Sequence, residues 1–342
     1  MAQTAPDETA AQPLIVPERG VSHVADDIIA LSCPVPFDVG TVNVYLLLGS
    51  PLTMIDTGSR LRFTIDDLDV LVERAGVHLA DIEQLVLTHR HIDHFGLARD
   101  VVERSGATVV SSAVDGPFMA AWEGMISGSR EQLKRSGQAL GIPGALFDLA
   151  EKGWRAIAAA AVSVESDRLL REGDVVRAGG RDLRVIESPG HTEGLVTLFE
   201  ETTGVYFAND HVLQHITPNP DVYDYSPDNL RSGLPDYVAS LRRLRDLPAT
   251  LVLPGHGVEM TDLGGRIDQI LVHHDQRSLK VLAALRAGHD TVFDLVGQIW
   301  NGLRPGDVHL AVREIIGHLV LLETEGRATH GTADGVLRYR AV

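Results

Sequence analysis

Apolar positions along the chain fall into two rhythms. From residue 21 short β-type runs at 28–31, 42–48 and 52–55 are separated by Pro and Gly turns. Helical spacing of Leu68, Leu71 and Val72 predicts a helix over 62–76, followed by a buried strand at 82–87 that stops at Thr88. A helix at 97–105 and a strand at 108–111 come next. Between 113 and 166 the texture changes to scattered apolar residues at helical intervals, Phe118, Met119, Trp122 and Met125 among them, which predicts a helical insertion. Strands resume at 175–176, 183–187, 196–199 and 205–207, then a helix at 234–246 and a strand at 250–253. A helix runs from 265 to about 287, and the order helix (291–302), helix (308–325), hairpin (327–330 with 337–340) suggests a small winged-helix-like unit. The pattern divides the chain into a loose arm at 1–20, a main domain at 21–265 and a C-terminal unit at 266–342.

The chemistry is concentrated where strands end. The run His89, Arg90, His91, Ile92, Asp93, His94 follows a buried strand and precedes a helix. In an extended segment His89 and His91 point the same way, and the following turn can bring Asp93 and His94 to a neighbouring point. Four ligand-type side chains within six residues suit a pair of metal ions better than one. Further candidates sit among small turn residues after apolar runs: His191 after Pro189-Gly190, Asp210 after Asn209, and His256 after Gly255. The chain has 15 His but a single Cys, Cys33, so an internal disulfide framework and a Cys-rich zinc site are both excluded.

With its H-x-H-x-D-H signature and these downstream ligands, the chain resembles the metallo-β-lactamase-fold hydrolase superfamily, on its glyoxalase II and lactamase-β-like side, over about residues 25–265. The resemblance implies an α+β fold, a four-layered αββα sandwich with the metals at one end of two sheets and a small C-terminal helical unit. It implies two zinc ions per chain, manganese or iron being alternatives. His89, His91 and His191 would hold one ion, Asp93, His94 and His256 the other, and Asp210 would bridge them. It further implies a hydroxide nucleophile shared by the two ions, with Asp93 orienting it and passing its proton to the leaving group. Asp210 stands where true β-lactamases of this superfamily carry Cys or Ser, which argues against that activity.

Around this set, Asp56 in an Asp-Thr-Gly turn is read as the acceptor for a ligand imidazole N–H, and Thr192 as a residue that steadies the His191 turn. Phe118, Met119 and Trp122 of the 113–166 insertion read either as an apolar lid over the cleft or as plain core. Tyr223 and Tyr225, in the loop after Asp210, are candidates for substrate contact. His211 and His215 exceed the ligand count and read as structural. His273 and His274 point ~100° apart on one helix, so at most one faces the cleft.

Charge then sorts the activities. Lys+Arg 30 against Asp+Glu 47 gives −17, a surface that repels nucleic-acid backbones and anionic lipid. No apolar run reaches the ~18 residues of a membrane span, and residues 1–20 lack a secretory pattern, which predicts a cytoplasmic protein, with the C-terminal unit as a packing or homodimer element. The expected activity is hydrolysis of a thioester, ester or lactone of a small, partly apolar substrate. The alternatives are a phosphodiesterase or endoribonuclease of the same fold and a non-catalytic metal-binding winged-helix regulator.

Overall fold

The computed structural model describes residues 20–35, 39–61, 63–127 and 130–342; within these, the side chains at 126, 127, 130–133, 150, 154, 157 and 305 lie outside the described set. The expected arm at 1–20 falls almost wholly outside the described residues.

In chain order the elements are β1 (Val21–Ala25), β2 (Ile28–Pro34), β3 (Thr41–Leu47), β4 (Thr53–Ile55), α1 (Ile65–Arg74), β5 (Gln84–Leu87), α2 (Ile92–Phe95), α3 (Ala98–Ser105) and β6 (Thr108–Ser112). Then come α4 (Asp115–Ala120), α5 (Trp122–Ser127), α6 (Arg130–Ala139), α7 (Gly144–Ala158), β7 (Arg168–Leu170), β8 (Val175–Ala178), β9 (Arg181–Glu187), β10 (Val196–Glu200) and β11 (Val205–Asn209). The remainder is β12 (Val222–Asp224), β13 (Arg231–Ser232), α8 (Leu234–Leu244), β14 (Leu251–Pro254), α9 (Leu263–Arg286), α10 (Val292–Ile299), α11 (Val308–Thr324), β15 (Ala328–Ala333) and β16 (Val336–Ala341).

Among the described residues β1 to β7 form one sheet in sequence order, antiparallel as far as β4 and parallel from β4 to β7. A second sheet has the order β14, β11, β10, β9, β8, with only the β14–β11 pair parallel. Strand periodicity explains why both sheets are covered on both faces. On β3, Val42, Val44 and Leu46 join α1 and α3 in an outer core, whereas Tyr45 and Leu47 face the other sheet. On β11, Val205 and Phe207 enter the inter-sheet core, while Tyr206 and Ala208 meet Tyr237 of α8 and Ile267 of α9. Three cores between four layers follow, helices outside and sheets inside.

The C-terminal part has its own core, built by the second half of α9 with α10, α11 and the β15–β16 hairpin. One helix serves both: Ile267 and Ile270 of α9 pack on the second sheet, while Val281, Leu282 and Leu285 pack in the C-terminal core. The expected boundary at 265 therefore falls within a continuous helix. β1 and β7 went unread in the sequence because their exposed, short runs carry little alternation.

Candidate metal centre

The site lies where like-directed strands of both sheets end. β5 stops at Leu87, the chain runs through Thr88 to His91, and His91 is the N-cap of α2, so Asp93 and His94 occupy its only turn. His191 follows β9, Asp210 follows β11 and His256 follows β14 by one glycine. Two glycines make the approach feasible. A Cβ on Gly255 would stand 2.1 Å from Asp210 Oδ1, and one on Gly190, at φ +137°, 2.2 Å from Tyr237 Cβ. Asp56 and Asn209 take left-handed φ values of 59° and 45° beside the site, local strain held by the surrounding hydrogen bonds. The sheets are sewn together here: Asn43 N donates to Gly255 O at 2.7 Å and Tyr45 OH to Pro254 O at 2.6 Å.

All seven ligand candidates converge. His89, His91, His191 and Asp210 form one group and Asp93, His94 and His256 another, with donor atoms in each within 4.8 Å of one another. Asp210 Oδ2 lies between them, 3.2 Å from His191 Nε2 and 3.4 Å from both His94 Nε2 and His256 Nε2. Asp93 Oδ2 is 3.5 Å from His256 Nε2. The rings of His89 and His94 are 4.1 Å apart, those of His91 and His191 4.4 Å.

Proton placement follows from the outer contacts. His94 Nδ1–H donates to Asp56 Oδ2 at 2.7 Å, His191 Nδ1–H to Asn219 O at 3.0 Å, and His256 Nδ1–H to Thr41 O at 2.7 Å. Thr88 spends its only hydroxyl proton on Asp56 Oδ2 at 2.8 Å, so its oxygen accepts from His89 Nδ1–H at 3.0 Å. With Nδ1 protonated, each of these four rings turns a bare Nε2 inward. Buried Nε2 atoms of His89, His94 and His191 and Oδ1 of Asp210 have no hydrogen-bond partner. Such orphans are costly unless something positive occupies the space between them. Imidazole and carboxylate donors without thiolate fit zinc, and the fixed tautomers are those that metal-ligating histidines adopt.

Electrostatics agree. Burial, then the neighbouring imidazoles His94 and His91, keep His89 well below its ordinary value; burial, His191 and Arg313 do the same for His91. Burial opposes charge on His94 and His256, yet Asp210 and Asp56 raise His94, and Asp210 and Asp93 push His256 up to about 10, so without a cation between the carboxylates these two rings would take a proton at Nε2 in its place. Burial would raise Asp210, but His256 and His94 hold it well below the carboxylate range. The cavity keeps its carboxylates ionised and draws positive charge.

The supporting residues divide. Asp56 accepts from His94 Nδ1. Thr192 donates not to a ligand but to Asp115 Oδ2 at 2.6 Å. Asp115, which the sequence reading missed, is buried and also accepts from Arg90 N (3.1 Å), Arg90 guanidinium (3.0 Å) and Gly194 N (3.1 Å). It thus ties the His89–His94 segment to the His191 turn. Arg90 continues to Asp221 at 2.6 Å, and Asp221 meets Arg313 of α11 at 3.1 Å. Asn219 is held by α11 too, its side-chain amide donating to Leu310 O at 3.1 Å.

Of the candidate substrate residues, Phe118 lies half-buried under the Arg90 guanidinium, 4.4 Å from ring centroid to carbon. Met119 and Trp122 are buried in the outer core, Trp122 against Phe95 (5.1 Å) with its indole N–H donated to Ala158 O at 2.9 Å. Of the two readings for them, their burial favours packing, with Trp122 of α5 set against Phe95 of α2. Tyr223 is half-buried near Arg231, and Tyr225 packs on the C-terminal core. His211 is buried against Ser240 Oγ at 2.9 Å, whereas His215 is exposed. Neither His273 nor His274 joins the seven ligand candidates.

Comparison with known proteins agrees with this geometry. A family model described as the metallo-beta-lactamase superfamily matches residues 37–256. The chain is 32% identical over 310 residues to a probable metallo-hydrolase, YqjP, of Bacillus subtilis, covering 89% of this chain and 94% of that one. It is 29% identical over 228 residues to the acyl-coenzyme A thioesterase MBLAC2 of Bos taurus, covering 63% and 72%. Among solved structures, a beta-lactamase domain protein from Burkholderia ambifaria superposes with a TM-score of 0.80 at 27% identity, covering 100% of this chain and 97% of that one.

Proposed function

The chain belongs to the metallo-beta-lactamase superfamily, and on that premise we propose a dinuclear zinc hydrolase that cleaves a thioester, ester or lactone of a small, partly apolar substrate. The observation that carries this reading is the set of buried, unpartnered donor atoms on His89, His94, His191 and Asp210 meeting at the ends of both sheets. In this reading His89, His91 and His191 hold one ion, Asp93, His94 and His256 the other, and Asp210 both. Two divalent ions there, zinc or alternatively manganese or iron, would supply a hydroxide from water at neutral pH and stabilise charge on a carbonyl oxygen.

The protein's own groups do the rest. Asp56, Thr88, Asn219 and Thr41 fix the ligand tautomers through the Nδ1 contacts. Asp93 would take a proton and pass it to the leaving group. Arg90 and Phe118 form a wall next to His91, and residues 113–166 are an insertion within a catalytic domain at 21–265. The thioesterase relative supports an acyl-thioester substrate, and the net charge of −17 disfavours a polyanion.

The test is a screen of the zinc-loaded full chain against acyl-thioesters, lactones, aryl esters, bis-p-nitrophenyl phosphate and a short RNA at two salt concentrations. Turnover of a thioester, ester or lactone that is lost in Asp210→Ala is expected. Efficient, steeply salt-sensitive RNA cleavage with negligible thioester turnover would overturn the reading.

A further inference from the structure

A second cluster of metal-type donors lies between α9 and α11. We propose that His274, Glu314 and His318 form a separate structural site for one divalent cation, zinc by its donor set, which pins the C-terminal core to the α8–α9 layer.

His274 and Ser278 stand one turn apart on α9, and Glu314 and His318 one turn apart on α11, so the facing surfaces present three donors and one hydroxyl to a common point. His274, Glu314 and His318 are buried, and their donor atoms lie within 4.8 Å of one another. Spacing decides between a hydrogen-bond cluster and a site. His318 Nε2 is 3.5 Å from His274 Nδ1 and 3.4 Å from Glu314 Oε1. Both separations exceed the ~2.7–3.2 Å of a good N–H···O bond. They match the ~3.3–3.5 Å edge of a tetrahedron whose bonds are ~2.0–2.1 Å.

Among the described residues the other ion-pair partners of Glu314 stand farther off, Arg277 Nε at 3.7 Å and His273 Nε2 at 3.8 Å. His318 is oriented by Ser278 Oγ, 2.9 Å from its Nδ1, an outer contact of the kind that turns a ligating Nε2 inward. His274 Nε2 is buried without a partner, so this ring is not locked into another hydrogen-bond scheme. His273, with 41% of its side chain exposed, opens the cluster to solvent and offers an entry path and a fourth position. Two imidazoles and one carboxylate select zinc over calcium or magnesium.

The site is distinct from the seven-ligand centre. Tyr237 stands between His274 and His211, the residue that follows Asp210, its ring 5.7 Å from the first and 5.6 Å from the second. It is nonetheless connected, since α11 also carries Leu310 and Arg313, which hold Asn219 and Asp221.

Metal content tests this without reference to activity. A full chain carrying His89→Ala and His256→Ala, which strips a donor from each half of the main centre, is dialysed against zinc and analysed for metal. About one zinc per chain should remain, and adding His318→Gln should remove it while the far-UV circular dichroism stays unchanged. Zinc should raise the melting temperature of the double variant by several degrees and leave the His318→Gln version unmoved. If a background variant fails to fold, the wild type is compared with His318→Gln and with Glu314→Gln, each of which should hold one zinc fewer. A folded double variant without zinc, or single variants with the wild-type zinc content, would overturn the proposal. Loss of the hydrolase reading alone would leave these counts unaffected.

Discussion

Replacing Asp115 by Asn removes the charge from a buried carboxylate that joins the His89–His94 segment to the His191 turn. Four donors converge on it: Arg90 N, the Arg90 guanidinium, Thr192 Oγ1 and Gly194 N. An amide of the same shape can accept at one oxygen, but its NH2 faces N–H and O–H groups. Whichever oxygen is replaced, two donors are left unsatisfied: the Arg90 guanidinium and Gly194 N at Oδ1, or Arg90 N and Thr192 Oγ1 at Oδ2. Burial pushes the Asp115 carboxyl up, with Arg90 and Thr192 pulling back, so its charge is expensive and is kept for these contacts. Breaking one partner of a buried pair costs about 3–5 kcal/mol. Since Arg90 retains Asp221, the low end applies. At about 2 °C per kcal/mol, the shallow end for larger chains, the melting temperature of Asp115→Asn should fall by about 6 °C. Zinc affinity, read by competition with a chromophoric chelator, should weaken by about tenfold, because the residues flanking His89, His91 and His191 are loosened together. A variant that melts within about 2 °C of wild type and competes for zinc equally well would show that Asp115 does not organise the centre.

The link to α11 has an acid signature. Burial would raise Asp221, but Arg313 and Arg90 hold it below its ordinary 3.8. A depressed carboxylate contributes stability that is fully present above the unfolded value and is lost as pH falls through the lower folded one. The stability gap between wild type and Asp221→Asn in urea melts should therefore be constant at pH 5–7 and shrink towards pH 3; a gap that grows in acid would contradict the ion pairing. Trp122→Ala should cost about 3–5 kcal/mol in the same melts, as expected for a buried aromatic, with KM of the surviving enzyme unchanged. Phe118→Ala should hardly move stability and should raise KM for apolar acyl substrates; the opposite assignment of effects would return Trp122 to the cleft.

How much of this was legible in the sequence follows from what sequence signals encode. Both sheets announce themselves by short, nearly continuous apolar runs, because most of their strands are covered on both faces, and the seven ligand candidates by residue type at strand ends. Asp56 was legible for the same reason, as a carboxylate in a turn. The rest of the support is carried by groups with no signature. Asn219 and Thr41 act through backbone carbonyls, which every residue has. Arg90 sits at a position that the motif treats as a spacer, and Asp115 stands at the head of an insertion that reads only as helical. Met119 and Trp122 show why periodicity leaves function open: spacing places them on one helical face but cannot say whether that face meets a cleft or Phe95.

The distribution of the ligand shell along the chain has a consequence for biosynthesis. His89, His91, Asp93 and His94 leave the ribosome early, but the centre also needs His191, Asp210 and His256 from the second sheet. The carbonyl that orients His191 is steadied by Leu310, on a helix made later still. A nascent chain can therefore offer only a partial, loosely held set of donors, and full metal capture waits until nearly the whole polypeptide has been made and both sheets have docked. On the proposed reading metal uptake would be a late step in maturation, and a chain cleaved before α11 should bind metal poorly.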